Sequence, residues 1–460
     1  MNKKLAHNSA ASQSGLGVFS LAMISIIAVC NLRSLSFAAM LGPSLVGYYI
    51  VASMFFLLPI ALITALFSAH FPANGGIYGW IKIAFGGQVG LLAVWLQWIY
   101  NLIWYPTQLI FITSLALSLF FPDLRTSPWV TFIISLIFFS SFTALHFLGI
   151  HAASWSMNIA AIIGTLLPLC FFSGITLQSI PQNIGQYIYN TQWLPPFDTD
   201  HFVYLSGVTF GLMGIEICGF YAENVENPRY VYPRALSLAG VVIILGMILS
   251  SLAIVHSVAG QDLDILTAMV QTLDVFFSIN NYYLREVLGV LILIGSSATV
   301  FAWLLGPSKG IVAAAKDGSA PAFFAQENAY GAPVAVLKVQ WIIFFVLSFS
   351  HCFIRMDVLY LYFSVITTQL ALIVYILFIM SFLTMRHKMR PDAPILYVGQ
   401  VFLACMSLVY CFFIILCGFI VPEYNLGLSP STYAMSILFG MVICILLPLR
   451  MIRYDTRYRD

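Results

Sequence analysis

Long apolar stretches follow one another along nearly the whole chain, each about 20 residues or more and each bounded by a short polar cluster. This pattern predicts twelve membrane-spanning helices, over residues 17–41, 45–68, 89–121, 128–149, 152–178, 201–225, 233–257, 284–314, 334–353, 356–384, 395–420 and 429–449. The connections are short apart from 179–200 and 258–283, which fall on the same side of the membrane.

Two spans break the apolar pattern. The first reads NLRSLSF over Asn31–Phe37, placing Arg33 within about one turn of its middle. A charge at that depth costs roughly 2.5–3.5 kcal/mol on insertion scales, so something must compensate it. The sixth carries Gly207, Gly211, Gly214 and Gly219 around Glu216. Each interior glycine costs a helix about 1 kcal/mol. Close helix packing would also account for those glycines. The acid in span six and the arginine in span one favour a different reading, two helices unwound near the midplane to make a binding site. Their spacing divides the chain into an inverted repeat, spans one to five (17–178) and six to ten (201–384), followed by two further spans (395–449). The expected fold is therefore a single all-α integral membrane domain with broken helices one and six.

Composition agrees. Charged residues make up 8% and hydrophobic ones 61%, against about 25% charged in soluble domains. A net charge of +2 without a basic stripe argues against a nucleic-acid partner. The eight cysteines are scattered, with no CxxC pair or metal-type spacing, so neither a metal nor another cofactor is expected. With a cytoplasmic N-terminus, fifteen lysines and arginines collect on the inner side and only Arg125, Arg285 and Arg355 on the outer. Both termini are expected in the cytoplasm, and the first span, lacking a small-residue cleavage site, is expected to be retained. No soluble domain, nucleotide-binding loop or HExxH motif is present, which excludes ATP-driven transport and argues against an intramembrane enzyme. A channel would need a repeated filter loop, and none is found. A secondary transporter remains, working on small molecules within the lipid bilayer.

Three segments carry a resemblance. FPANGGIYGWIKIAFG (Phe71–Gly86) resembles the cytoplasmic P-x-x-G-G-x-Y-x-W element of the amino acid–polyamine–organocation superfamily. GIEICGFYAENVENPRYVYPRAL, from Gly214, is similar to that superfamily's pattern after span six, and FAWLLGPSKG with its closing G-x-P resembles its span eight and the re-entrant segment after it. The wording in spans six and eight resembles the bacterial glutamate/GABA antiporter branch. The resemblance implies a LeuT-like fold in the bacterial inner membrane, exchanging an amino acid for its decarboxylation product or another amino acid or amine. It leaves open proton-coupled amino-acid or polyamine uptake, with protons as a candidate partner. It also implies that Glu216 is a gate, that Phe210 is a lid over the substrate, and that Trp303 lies near it.

Two departures stand out. The family's G-[ST]-G break in span one is replaced by Arg33-Ser34-Leu35, and the chain ends eleven residues after Leu449, so a C-terminal plug is not expected. Arg33 is expected to grip a substrate carboxylate with its planar fork, helped by backbone amides of Ser34, Leu35 and Ser36. Glu216 would neutralise it in the empty site; alternatively the two form a purely structural ion pair. Further wall candidates are Trp104, Tyr105, Gly214, Ser296, Ser297, Thr299, Thr367, Thr368 and Gln369. Glu223 and Glu226 are candidates for a latch at the inner mouth, near Lys82 or Lys309, with ordinary solvated loop residues as the alternative.

Overall fold

The computed structural model describes residues 16–72, 76–148, 151–179, 192–194, 199–258, 262–277, 282–389, 394–421 and 429–456. These are helical, with one isolated β-bridge, Glu327 to Pro333. Eleven helices among them are long and apolar enough to cross a membrane, and the bent pair in span one makes twelve.

Span one is two helices, α1 (Val18–Val29) and α2 (Arg33–Ala39), bent by 57°. Asn31 makes the bend. Its Oδ1 accepts from the Arg33 backbone N–H at 3.1 Å, so a side chain takes the place of a helical carbonyl. Its Nδ2 donates to Gln108 Oε1 at 3.1 Å, which fixes the bend to span three. Span two comprises α3 (Leu45–Ala52) and α4 (Leu58–His70), joined by a π turn over Ser53–Leu57. Pro59 follows that turn directly. Its ring would clash with the carbonyl four residues back, and the wider turn relieves the clash.

The remaining order is α5 (Ile77–Phe85), α6 (Gly87–Phe120), α7 (Pro128–Phe147), α8 (His151–Gln178) and α9 (Thr199–Phe210). A 3-10 segment (Ile215–Asn224) completes span six. Then come α10 (Pro228–Ser257), α11 (Ala268–Phe277), α12 (Tyr282–Lys316), α13 (Val334–Phe349), α14 (Met356–Met385), α15 (Pro394–Cys417) and α16 (Pro430–Thr456). Helix α6 is 94% buried over its apolar window and α16 only 17%. Span three is thus the central pillar, uninterrupted at Pro106, and span twelve lies at the periphery.

One connection holds a helix of its own, and one expected boundary needs correction. The 258–283 connection contains α11, preceded by a turn in which Asp264 accepts from the Leu266 N–H at 3.0 Å and Thr267 Oγ1 at 2.9 Å. Helix α16 runs on to Thr456, past the expected end at Leu449. Most of the other long connection, 180–191 and 195–198, lies outside the described residues.

Ion pairs sit at helix ends. Lys82 meets Asp317 at 2.5 Å, Lys316 meets Glu327 at 2.7 Å, and Arg285 lies against Asp274 and Glu286 at 2.5 and 2.7 Å.

Candidate functional site

A chamber opens between α2, α9, α14 and α16, in the half of the molecule that holds the second piece of span one and the first piece of span six. Arg33, Ser34, Phe37, Tyr204, Phe210, Tyr360, Ser364, Thr368 and Tyr433 are among its lining residues, and no acidic side chain lines it.

Arg33 opens α2 and is 2% exposed. Nη1 donates to Thr107 Oγ1 on α6 at 2.8 Å and to Ser364 Oγ on α14 at 3.2 Å. Both hydroxyls send their own proton into their own helix, Thr107 to Trp104 O at 2.7 Å and Ser364 to Tyr360 O at 2.6 Å. A hydroxyl whose proton is already committed can only accept, which suits a cation. The rings of Tyr360 and Phe210 lie 4.9 and 5.4 Å from Cζ, within cation–π range. Nε is buried without a partner. The guanidinium is therefore anchored through one nitrogen, and its Nε–Nη2 edge is the side left for a bidentate acceptor.

Two parts of the sequence expectation fail here. No ion pair joins Arg33 to Glu216 among the described residues, so neither the neutralising role in the empty site nor the structural pair is seen. The amides of Ser34 and Leu35 are not free for a ligand, because they donate to Asn31 O at 2.9 Å and Leu32 O at 3.1 Å to close the first turn of α2. Leu35 and Ser36 are fully buried and do not line the chamber.

Glu216 anchors a second cluster. Tyr375 on α14 donates its hydroxyl proton to Glu216 Oε2 at 2.8 Å, and the Tyr375 hydroxyl oxygen in turn accepts the Gly214 N–H at 3.0 Å. One tyrosine thus holds both the carboxyl and the unwound backbone of span six. Gly214 is needed at the turn. Its φ is +115°, and a Cβ there would sit 2.9 Å from Ala28 O and 3.3 Å from the Trp303 ring. Gly207 similarly gives way to the Phe37 ring from span one. These glycines serve close packing and, at Gly214, the break itself.

Trp303 joins this second cluster, with Tyr105 donating to its carbonyl at 2.9 Å and the Trp104 ring 6.1 Å away. Phe210 and Thr368 line the chamber, whereas Trp104, Gly214, Glu216 and Trp303 gather away from it. Ser296 does neither. It follows Gly295, where α12 meets Gly164 of α8 backbone to backbone, and its Oγ is buried there without a partner. The side chain of Glu223 lies outside the described residues. The expected partner Lys82 is engaged with Asp317 instead, which also receives the Tyr78 hydroxyl. Partial burial alone would push the Asp317 carboxyl up. Hydrogen bonds from Lys82, Ser319 and Tyr78 outweigh that and hold it below the usual carboxylate range.

Sequence reasoning missed Thr107, Ser364, Tyr360 and Tyr375. Only Tyr375 carried a hint, as a polar tip placed two turns beyond the Thr367-Thr368-Gln369 patch in an apolar span.

The amino acid permease profile matches residues 16–445. The chain belongs to that family. The permease is 37% identical to an uncharacterized transporter of Legionella pneumophila over 95% of this chain and 96% of the relative. It is 25% identical to a glutamate/gamma-aminobutyrate antiporter of Lactococcus lactis, covering 88% of this chain and 83% of that one. A probable agmatine/putrescine antiporter of the same species is 24% identical over 83% and 82% of the two chains. The permease is thus an all-helical multi-span transporter of the amino acid–polyamine–organocation superfamily.

Proposed function

We propose that this permease is a secondary amino-acid antiporter of the bacterial inner membrane that binds a substrate carboxylate on the Nε–Nη2 edge of Arg33. The exchanged pair we favour is glutamate, or a similar amino acid, against GABA or another amino acid. The observation that carries the reading is the buried, acid-free cation at the chamber wall, with Nη1 anchored and Nε left without a partner. A buried charge without a counter-ion is strongly disfavoured, and a substrate carboxylate supplies that counter-ion. The glutamate/gamma-aminobutyrate antiporter among the relatives supports the same substrate chemistry.

Transport follows by alternating access, with spans one to five and six to ten as the two repeats and both termini cytoplasmic. On that orientation the chamber faces outward. The Glu216–Tyr375–Gly214 cluster and the Trp80 ring, stacked on both Phe67 and Phe378, close the inner side.

The test is counterflow in liposomes with wild type, Arg33→Lys and Arg33→Ala. Wild type takes up labelled glutamate only when loaded inside with a competing amino acid, and both variants lose apparent affinity by on the order of tenfold or more. Unchanged affinity in well-folded variants rejects the carboxylate role. A second reading, proton-coupled uptake, draws on Glu216, a buried carboxyl whose Oε1 has no partner. It predicts accumulation driven by a pH gradient into unloaded vesicles.

A further inference from the structure

The relatives named above handle both carboxylate-bearing amino acids and diamines, and the chamber separates these two classes. Recognition of an organic cation in a membrane protein uses aromatic faces, acceptor oxygens and an acid. Here the chamber supplies the first two, and at the Arg33 wall they are already taken, while Tyr204, Tyr362 and Tyr433 add to the aromatic lining. The faces of Phe210 and Tyr360 lie against the Arg33 guanidinium, and the acceptor-only hydroxyls of Thr107 and Ser364 are taken by its Nη1. No acid lines the chamber to welcome a second cation. The remaining polar lining does not replace one; the Thr368 hydroxyl, for instance, sends its proton to Ser364 O, 2.7 Å away, and offers a neutral acceptor with no charge to balance a second cation.

A tethered cation in the place where a free cation would sit has two effects. It competes for the same faces at an effective concentration no solute reaches, and it repels what it does not displace. Resting on the reading of this chamber as the transport site, we propose that Arg33 is the specificity-determining residue that bars diamines and guanidino-amines from this permease and confines it to solutes that present a carboxylate. Thr107 and Ser364 act through Arg33 as positioning residues. By holding Nη1 they keep the guanidinium between the two rings rather than letting it swing into the chamber.

The experiment is calorimetric titration of the purified full-length permease in detergent with L-glutamate, GABA, putrescine and agmatine. It is run on wild type, on Arg33→Leu, which empties the ring faces, and on Arg33→Gln as a neutral polar alternative should the leucine variant not fold. Thermal unfolding and size-exclusion profiles confirm that each variant is intact. Wild type is expected to bind at least one carboxylate on the order of a hundredfold more tightly than either amine. The Arg33 variants are expected to lose the carboxylate and gain at least about tenfold in affinity for putrescine or agmatine. Wild-type binding of an amine within about tenfold of the best carboxylate overturns the inference alone. So does a folded variant whose amine affinity does not rise. Absence of any carboxylate binding to wild type overturns the exchange reading as well.

Discussion

Tyr375→Phe removes one oxygen and two hydrogen bonds. The Tyr375 hydroxyl donates to Glu216 Oε2 at 2.8 Å and accepts from the Gly214 N–H at 3.0 Å, so phenylalanine leaves a buried carboxyl oxygen and a buried backbone donor unpaired. Each orphaned buried group costs about 1–3 kcal/mol. If opening the inner side lets water reach both groups, the cost falls on the closed state alone. The closed-to-open ratio should then shift by about 2–6 kcal/mol, from roughly thirtyfold to on the order of ten-thousand-fold at 1.4 kcal/mol per decade. A natural reporter lies close by. Cys218 is fully buried in the 3-10 segment, with its carbonyl held by the Tyr232 hydroxyl at 2.7 Å. In a variant retaining only Cys218, alkylation by a membrane-permeant maleimide should be slow, and Tyr375→Phe should accelerate it by at least tenfold. Under the proposed function, glutamate or GABA bound in the chamber should slow the reaction again by drawing the population back. An unchanged alkylation rate in a folded Tyr375→Phe protein would show that this tyrosine does not hold the inner side shut, and the assignment of Glu216 as a gate would fall with it.

Gly214→Ala combines a left-handed φ of +115° with a Cβ 2.9 Å from a backbone carbonyl that cannot rotate away. About 1–2 kcal/mol for the conformation and about 1–3 kcal/mol for overpacking predict a loss of about 2–5 kcal/mol, visible as a lower apparent unfolding temperature and loss of exchange. Wild-type melting would contradict the strained turn. Asp317, whose carboxyl is held low, stabilises the ion pair with Lys82 above the ordinary aspartate range, near about 3.9, and loses that contribution as pH falls through its lowered folded value. Because the pair is 38% and 27% exposed it is worth about 1 kcal/mol at most. Asp317→Asn should therefore raise Cys218 alkylation at neutral pH by no more than about fivefold and abolish its rise in acid. A larger effect would mean that Asp317 acts through something other than this pair.

The span count and both broken helices were legible in the sequence because membrane crossing demands long apolar runs, and a charge or a glycine cluster inside one stands out. Arg33 was legible for the same reason, as the one cation in the middle of a span. Its surroundings were not. Thr107 and Ser364 are ordinary helix residues until the fold brings positions 74 and 331 residues away onto one nitrogen. The expected pairing of Arg33 with Glu216 failed because sequence shows two opposite charges at broken helices but not their direction. Asn31 turns one helix and Gly214 the other, so that each charge finds hydroxyls instead. The amides of α2 were read as free because helix starts leave donors open, whereas here the carbonyls of Asn31 and Leu32 claim them at once. The expected role of Lys82 missed Asp317, which lies 235 residues away at the end of α12.

The partly exposed Lys82–Asp317 contact and the enclosed Arg33 answer differently to dissolved electrolyte. Screening lengths shrink from about 8 Å at 0.15 M to about 3 Å at 1 M, which weakens a contact that water can reach and leaves an enclosed guanidinium nearly untouched. Concentrated salt can therefore be used as a reversible chemical tool on the unmodified molecule. It should weaken the Lys82–Asp317 contact while leaving the anchoring of Arg33 on Thr107 and Ser364 as it was.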